Sequence, residues 1–348
     1  MSLGRKLRRL IDNATAADVD KLVSRDSWSV KALERLSKRV EQAAHDDPPN
    51  GYALALYGLA FLANRLEYVD LEARAYTSAG AAARRLGRLN EAAAHYSRAK
   101  KLARNPRTLA RLHLCIAVLA REEARFTDAF SAVDLAERYG ASVADVPPLV
   151  AAIRGSIFVE RGERNSSTSD FGEAIRWLTT AASTASPGST AQALALLALA
   201  TVMTNPASPR FGPAHVRPVL QAIRESSRGT RSIARRRCRA FADWIDGRLC
   251  IRLGSTRQGV RLMRKAGQTL ARAGHHGEAL RIAVDIAELG IAAGGGDEAT
   301  DYVADVVVLI PRDSPFADVA DLFRDLEPDA LSSSNWAADV RAAIEATS

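Results

Sequence analysis

Gly80-Ala-Ala-Ala-Arg-Arg-Leu-Gly-Arg-Leu-Asn-Glu-Ala-Ala-Ala-His-Tyr96 is the stretch that decides the fold. Two runs of helix-forming residues flank a break at Gly87. A small residue stands at 80, another at 92, and a large one at 96. The same order returns as Ala117, Ala129 and Val133, then as Gly247, Gly259 and Met263, and again as Ala287, Ala299 and Val303. Gly155, Ala174 and Leu178 fit if an insertion of about seven residues lies between Glu163 and Asp170. Three residues beyond each large position come Ala99, Ala136, Ala181, Ala266 and Val306. Antiparallel helices approach closely only where Gly or Ala leaves room. A large side chain such as Tyr96 or Leu178 then fills the space between one helix pair and the next.

The rest of the chain supports a train of helices. Apolar residues recur at helical spacing nearly throughout, and breakers fall every fifteen to twenty residues, among them Pro48-Pro49, Gly140, Pro147-Pro148, Pro187-Gly188, Gly254 and Gly294-Gly295-Gly296. Period-2 alternation is nearly absent; Val306 to Ile310 is the one strand-like run, and it is expected to be helix. Ala193 to Met203, apolar on all sides but too short to span a bilayer, is expected to be a fully buried helix. The fold class expected is all-α.

The five aligned units resemble the tetratricopeptide repeat, a helix-turn-helix of about 34 residues with small residues where helix A crosses helix B. Trp244, three residues before Gly247, matches that family's aromatic position. The resemblance covers roughly 71–310, with units 37 to 45 residues apart, and extends to the degenerate repeat arrays of some bacterial regulators. It implies a right-handed α-solenoid of roughly six to eight helix pairs. Residues 1–70 are then N-terminal helices with an irregular pair (Trp28–Ala44 and Tyr52–Leu66), 71–310 the array, and 311–348 capping helices. The pattern is poorest over 189–226.

Composition sets the outer limits. The 348 residues are 47% hydrophobic and 25% charged, which excludes a disordered or collagen-like chain. Aromatics make up only 6%, so the core must be built from Ala, Leu, Val and Ile. Cys115, Cys238 and Cys250 form no disulfide framework and no zinc-ligand spacing, so a reducing cytoplasm is expected. The basic start of the chain is followed by polar Asn13 to Asp20, so no secretory or membrane segment is expected. The net charge is +8, and only seven of the 48 basic residues are Lys. An Arg- and Ala-rich codon bias accounts for that balance as readily as an acidic partner does.

No catalytic constellation is found, and a non-enzymatic protein without cofactor or metal is expected. The six His lack HExxH spacing, and no GxSxG or phosphate loop occurs. Gly294-Gly295-Gly296 lacks a following Lys-Ser/Thr and falls at an A-to-B turn. His275-His276 is read as polar surface at a helix start, Cys115 and Cys250 as small core residues, and Asp243 with Asp246 as partners of a neighbouring Arg.

In the family the A helices line a groove that holds partner peptides. Counted from the crossing residues, the groove positions are Arg74, Arg84, Arg111 and Arg121 in the first two units and Trp244, Arg248 and Arg252 further along. Arg74 and Arg111 are equivalent, as are Arg84 and Arg121, each pair 37 apart. Arg suits carboxylates because its planar fork binds bidentately. The other reading is solvated surface in an Arg-rich chain. The expected function is a scaffold or adaptor that binds a partner protein or acidic peptide. One alternative is a peptide- or ligand-sensing regulator. Another is a nucleic-acid-binding solenoid using the stripe Arg231, Arg235 and Arg239, which lacks interleaved aromatics for base stacking.

Overall fold

A computed structural model describes residues 30–46, 48–226, 233–273, 275–292 and 296–310, together with 317, 319, 320, 340 and 343. Among the described residues there are helices and connecting turns and no strand, so the chain is all-α. It divides into two compact units, Met1–Pro147 and Pro148–Ser348.

The first unit contains α1 (Val30–Asp46) and α2 (Pro48–Ala53), which runs on through a π-helical segment, Leu54–Ala60, into α3 (Phe61–Arg65). Next come α4 (Val69–Arg85), α5 (Leu89–Leu102), α6 (Pro106–Glu122) and α7 (Phe126–Gly140). Beginning at the boundary, α8 (Val146–Asn165) is followed in the second unit by α9 (Thr168–Thr184), α10 (Thr190–Met203) and α11 (Pro213–Ser226). The second unit continues with α12 (Ile233–Arg252), α13 (Thr256–Arg272), α14 (His276–Ala292) and α15 (Gly296–Val307).

Local chemistry starts and stops these helices. The Asn105 side chain caps α6 by accepting from the Arg107 backbone N–H, with Pro106 at the first helical position. Ser167 and Ser189 cap α9 and α10 in the same way. Between α4 and α5 the backbone turns at Gly87 with φ 78°, and between α12 and α13 at Gly254 with φ 83°. Ala124 and Ser166 take the same left-handed conformation between α6 and α7 and between α8 and α9. Each of the four turns carries the same bond, from the residue after the turn to the carbonyl five back: Arg88 to Ala83, Arg125 to Ala120, Ser167 to Gly162 and Ser255 to Cys250. A left-handed non-Gly residue costs roughly 1 kcal/mol or more. Ala124→Gly should therefore raise stability by about 1 kcal/mol, read as an upward shift of the urea midpoint; a lower midpoint would show that the Ala124 methyl is needed in packing.

The crossings bring together the residues whose spacing suggested them. A Cβ on Gly80 would lie 2.4 Å from the Tyr96 ring, one on Gly155 2.6 Å from Leu178, and one on Gly247 2.5 Å from Met263. Tyr96, Leu178 and Met263 are fully buried, and so are Ala92, Ala99, Ala174, Ala181 and Ala266 around them. The poorly patterned 189–226 also forms a helix pair, α10 with α11.

Four expectations are corrected. Ala193 to Met203 lies in α10 but is not fully buried, since Leu194 is 43% exposed. Val306 to Ile310 is helix only to Val307 and then turns. His275 is buried, so the pair at the start of α14 is not simply surface. Cys115 and Cys250 are partly rather than fully buried, with Cys115 packed against a buried cluster. The helices expected over 1–28 lie outside the described residues. So do Gly294-Gly295 and nearly all of the capping segment, of which Val319, Ala320 and Val340 pack into the same buried cluster as α13, α14 and α15.

Candidate functional site

In the first unit α1, α4 and α6 lie side by side and contribute Glu41, Arg74 and Arg84, and Arg111, Arg121 and Glu122. Arg74 donates to Glu41 at 2.8 Å, and Arg111 reaches the other oxygen of the same carboxylate at 3.1 Å. Arg111 also meets Asp145 at 3.1 Å, and Asp145 takes Arg107 at 2.8 Å. One turn or more along, Arg84 and Arg121 share a single oxygen of Glu122, Arg121 at 3.5 Å. The equivalence read from the sequence is thus a spatial one: Arg74 stands beside Arg111 and Arg84 beside Arg121, each couple around one carboxylate.

Five guanidiniums (Arg74, Arg84, Arg107, Arg111, Arg121) share three carboxylates (Glu41, Glu122, Asp145) on this face. Burial acts to weaken the hold of Arg84 on its proton, but Glu122 outweighs burial and the net direction is up. Burial likewise acts to raise Asp145, and the bonds from Arg107 and Arg111 outweigh it, so its carboxyl sits below the ordinary range. Each of the five guanidiniums is thus paired with one of the protein's own acids. Cys115 lies among Arg84, Arg111 and Glu41, and burial pushes its thiol up, away from the thiolate.

In the second unit α12 carries Trp244, Arg248 and Arg252 at spacings of four. Trp244 Nε1 donates to Asp285 of α14 at 2.8 Å, and Arg248 Nε stands 3.5 Å from the same oxygen. Arg252 donates to the Thr204 carbonyl at the C-terminus of α10, where a cation is favoured by the helix dipole. Burial, then the neighbouring Arg248, draws its proton affinity down. Glu163 of α8 lies near Arg248, Glu160, Asp285 and Arg252. Trp244, Arg248 and Arg252 are thus tied into contacts between helices. Asp243 and Asp246 both take Arg224, at 3.1 and 2.8 Å, as the sequence suggested.

Of the basic stripe, Arg231 and the Arg235 side chain lie outside the described residues, and Arg239 is exposed. Further along α12, Arg237 pairs with Glu278 at 2.8 Å and stacks over Phe241.

The residues that sequence reasoning missed are the carboxylates. Glu122 lies 38 residues after Arg84 and Asp145 38 after Arg107. That separation, close to the 37 of the arginines, was the available signal. Among the described residues no group of His, Cys, Asp and Glu is placed to hold a metal ion, and no helix is long and apolar enough to cross a membrane. Comparison with protein-family models and with curated proteins finds no match to this chain.

Proposed function

We propose that this chain is a non-enzymatic protein-interaction module, a right-handed α-solenoid of tetratricopeptide-like repeats that receives an acidic segment of a partner protein on its A-helix face. The recurring left-handed turns, the glycine crossings and the ion pairs at near-constant separation support the repeat reading. The partner's chemistry rests on one observation, the two-charge surplus of Arg74, Arg84, Arg107, Arg111 and Arg121 over the carboxylates Glu41, Glu122 and Asp145 that they share. The internal acids hold the arginines in place, and the surplus is left for an incoming anion.

The test is a titration of a fluorescent Asp/Glu-rich peptide. An Arg74→Gln/Arg111→Gln double variant should weaken binding at least tenfold, since charge-assisted bonds are each worth about 1.5–3 kcal/mol when partly desolvated. Wild-type affinity should also fall steeply as salt rises. Equal affinities for wild type and variant at low salt would remove this face from the account.

A further inference from the structure

At the deeper end of the same face the donors outnumber what is present to receive them. Tyr96 rises from α5 between α4 and α6, where the missing side chain of Gly80 admits its ring. The ring is 2% exposed, and its buried hydroxyl has the donor Arg84 beside it and no acceptor within hydrogen-bond geometry. Around that hydroxyl stand Cys115, Arg84 and Glu122. Arg84 can only donate, and Glu122 is engaged by Arg84 and Arg121, so the hydroxyl's own proton is left without a bonded acceptor. Arg121 Nε is also buried without a partner, although its Nη2 reaches Glu122. One carboxylate with two oxygens therefore serves two guanidiniums and leaves two further donors unmet. A bound anion is one way in which buried donors in that state are met.

The charge of the missing group follows from Glu122. Removing Glu122 from the seat leaves Arg84 and Arg121 with two positive charges. A carboxylate from a partner would only exchange one monoanion for another, and the tethered Glu122 has the advantage of high effective concentration. A phosphate monoester carries close to two negative charges at neutral pH and three acceptor oxygens. It balances both guanidiniums and has oxygens for the Tyr96 hydroxyl and Arg121 Nε. Glu122, the last residue of α6 and 30% exposed, has solvent to turn into.

We propose that Arg84, Arg121 and the Tyr96 hydroxyl form a phosphoryl seat, which Glu122 occupies in the free protein and yields to a phosphorylated Ser or Thr within the partner's acidic segment. The proposal rests on the proposed function above, because it names the anchor of that segment.

The experiment compares three labelled peptides of one acidic sequence with Ser, phosphoserine or Glu at the centre. The phosphopeptide should bind at least tenfold tighter than the Ser peptide, and the Glu peptide no more than two- to threefold tighter. Tyr96→Phe should lose at least fivefold of the phosphopeptide's affinity with an unchanged or higher melting midpoint, because it removes an unpaired buried hydroxyl. Glu122→Gln should raise affinity for the Glu peptide and so narrow the discrimination. Equal binding of the Ser and phosphoserine peptides overturns the seat and leaves the acidic-segment reading standing. Failure of all three peptides to bind removes both. Inorganic phosphate that binds as tightly as the phosphopeptide would assign the seat to a free phosphate and overturn the peptide anchor.

Discussion

Replacing Gly247 with Leu is expected to lower stability by about 3 kcal/mol, the upper end of what overpacking costs. The size follows from what surrounds the site. A Cβ there would lie 2.5 Å from Met263 Cγ and 2.7 Å from the Gly259 carbonyl oxygen. The Met263 side chain has some freedom to shift, being unbranched. The carbonyl oxygen has none, since it belongs to α13's backbone. Gly259 is equally confined, with the Gly247 carbonyl 2.5 Å from its own would-be Cβ. Two helices therefore meet backbone to backbone, and any side chain at 247 must push α12 from α13. Thermal and urea midpoints should both fall. Hydrogen exchange should speed up most in α12 and α13, with α4 to α7 keeping their protection, because the damage is local. A midpoint within error of wild type would mean that Gly247 does not sit at this crossing.

The crossings were legible in the sequence for a simple reason. A close helix contact demands a small residue at one position and a large one at another, and both demands are local. Gly80 with Tyr96 and Gly247 with Met263 could therefore be paired from spacing alone, and Gly155 with Leu178 once an insertion of about seven residues was allowed. The turns were legible only in part. Gly87 and Gly254 announce themselves, whereas Ala124 and Ser166 adopt the same left-handed backbone because the helices on either side and the bond to the carbonyl five residues back hold them there. The division after Pro147 falls at the Pro147-Pro148 break, which in the sequence looks like any other break between helices.

On the candidate face the arginines could be read and their partners could not. Arg74, Arg84, Arg111 and Arg121 stand out by recurrence. Glu41 precedes the aligned units, and Glu122 and Asp145 look like ordinary surface acids until the fold sets them against guanidiniums. The sequence reading therefore treated the arginines as free to recruit a carboxylate. In the structure each couple already holds an internal carboxylate, Glu41 or Glu122. At Arg252 the partner was illegible for a different reason. Its register on α12 was correct, but the end of α10 takes up its charge, and nothing in the local pattern of α12 foretells where α10 ends.

Tyr96→Ala is expected to cost about 3–5 kcal/mol, in the range for a buried aromatic truncated to Ala. The ring belongs to a buried cluster with Ala73, Ala83, Ala92, Leu112 and Leu119, whose residues sit on packed helices that do not collapse readily into the space it leaves. Gly80 supplies the control. On an ordinary helix Gly→Ala stabilises by roughly 0.5–1 kcal/mol. Here the new methyl would sit 2.4 Å from one ring carbon and 2.7 Å from the next. A rigid buried ring cannot yield to it, so overpacking outweighs propensity and Gly80→Ala should destabilise by about 1–3 kcal/mol. In the Tyr96→Ala background the obstruction is gone, and the same Gly80→Ala change should become neutral or stabilising. The double-mutant cycle, read from urea midpoints, should thus give a coupling energy of at least about 1.5 kcal/mol with the sign that marks a steric conflict. Additive effects would place the Tyr96 ring elsewhere, and with it the hydroxyl on which the phosphoryl seat depends.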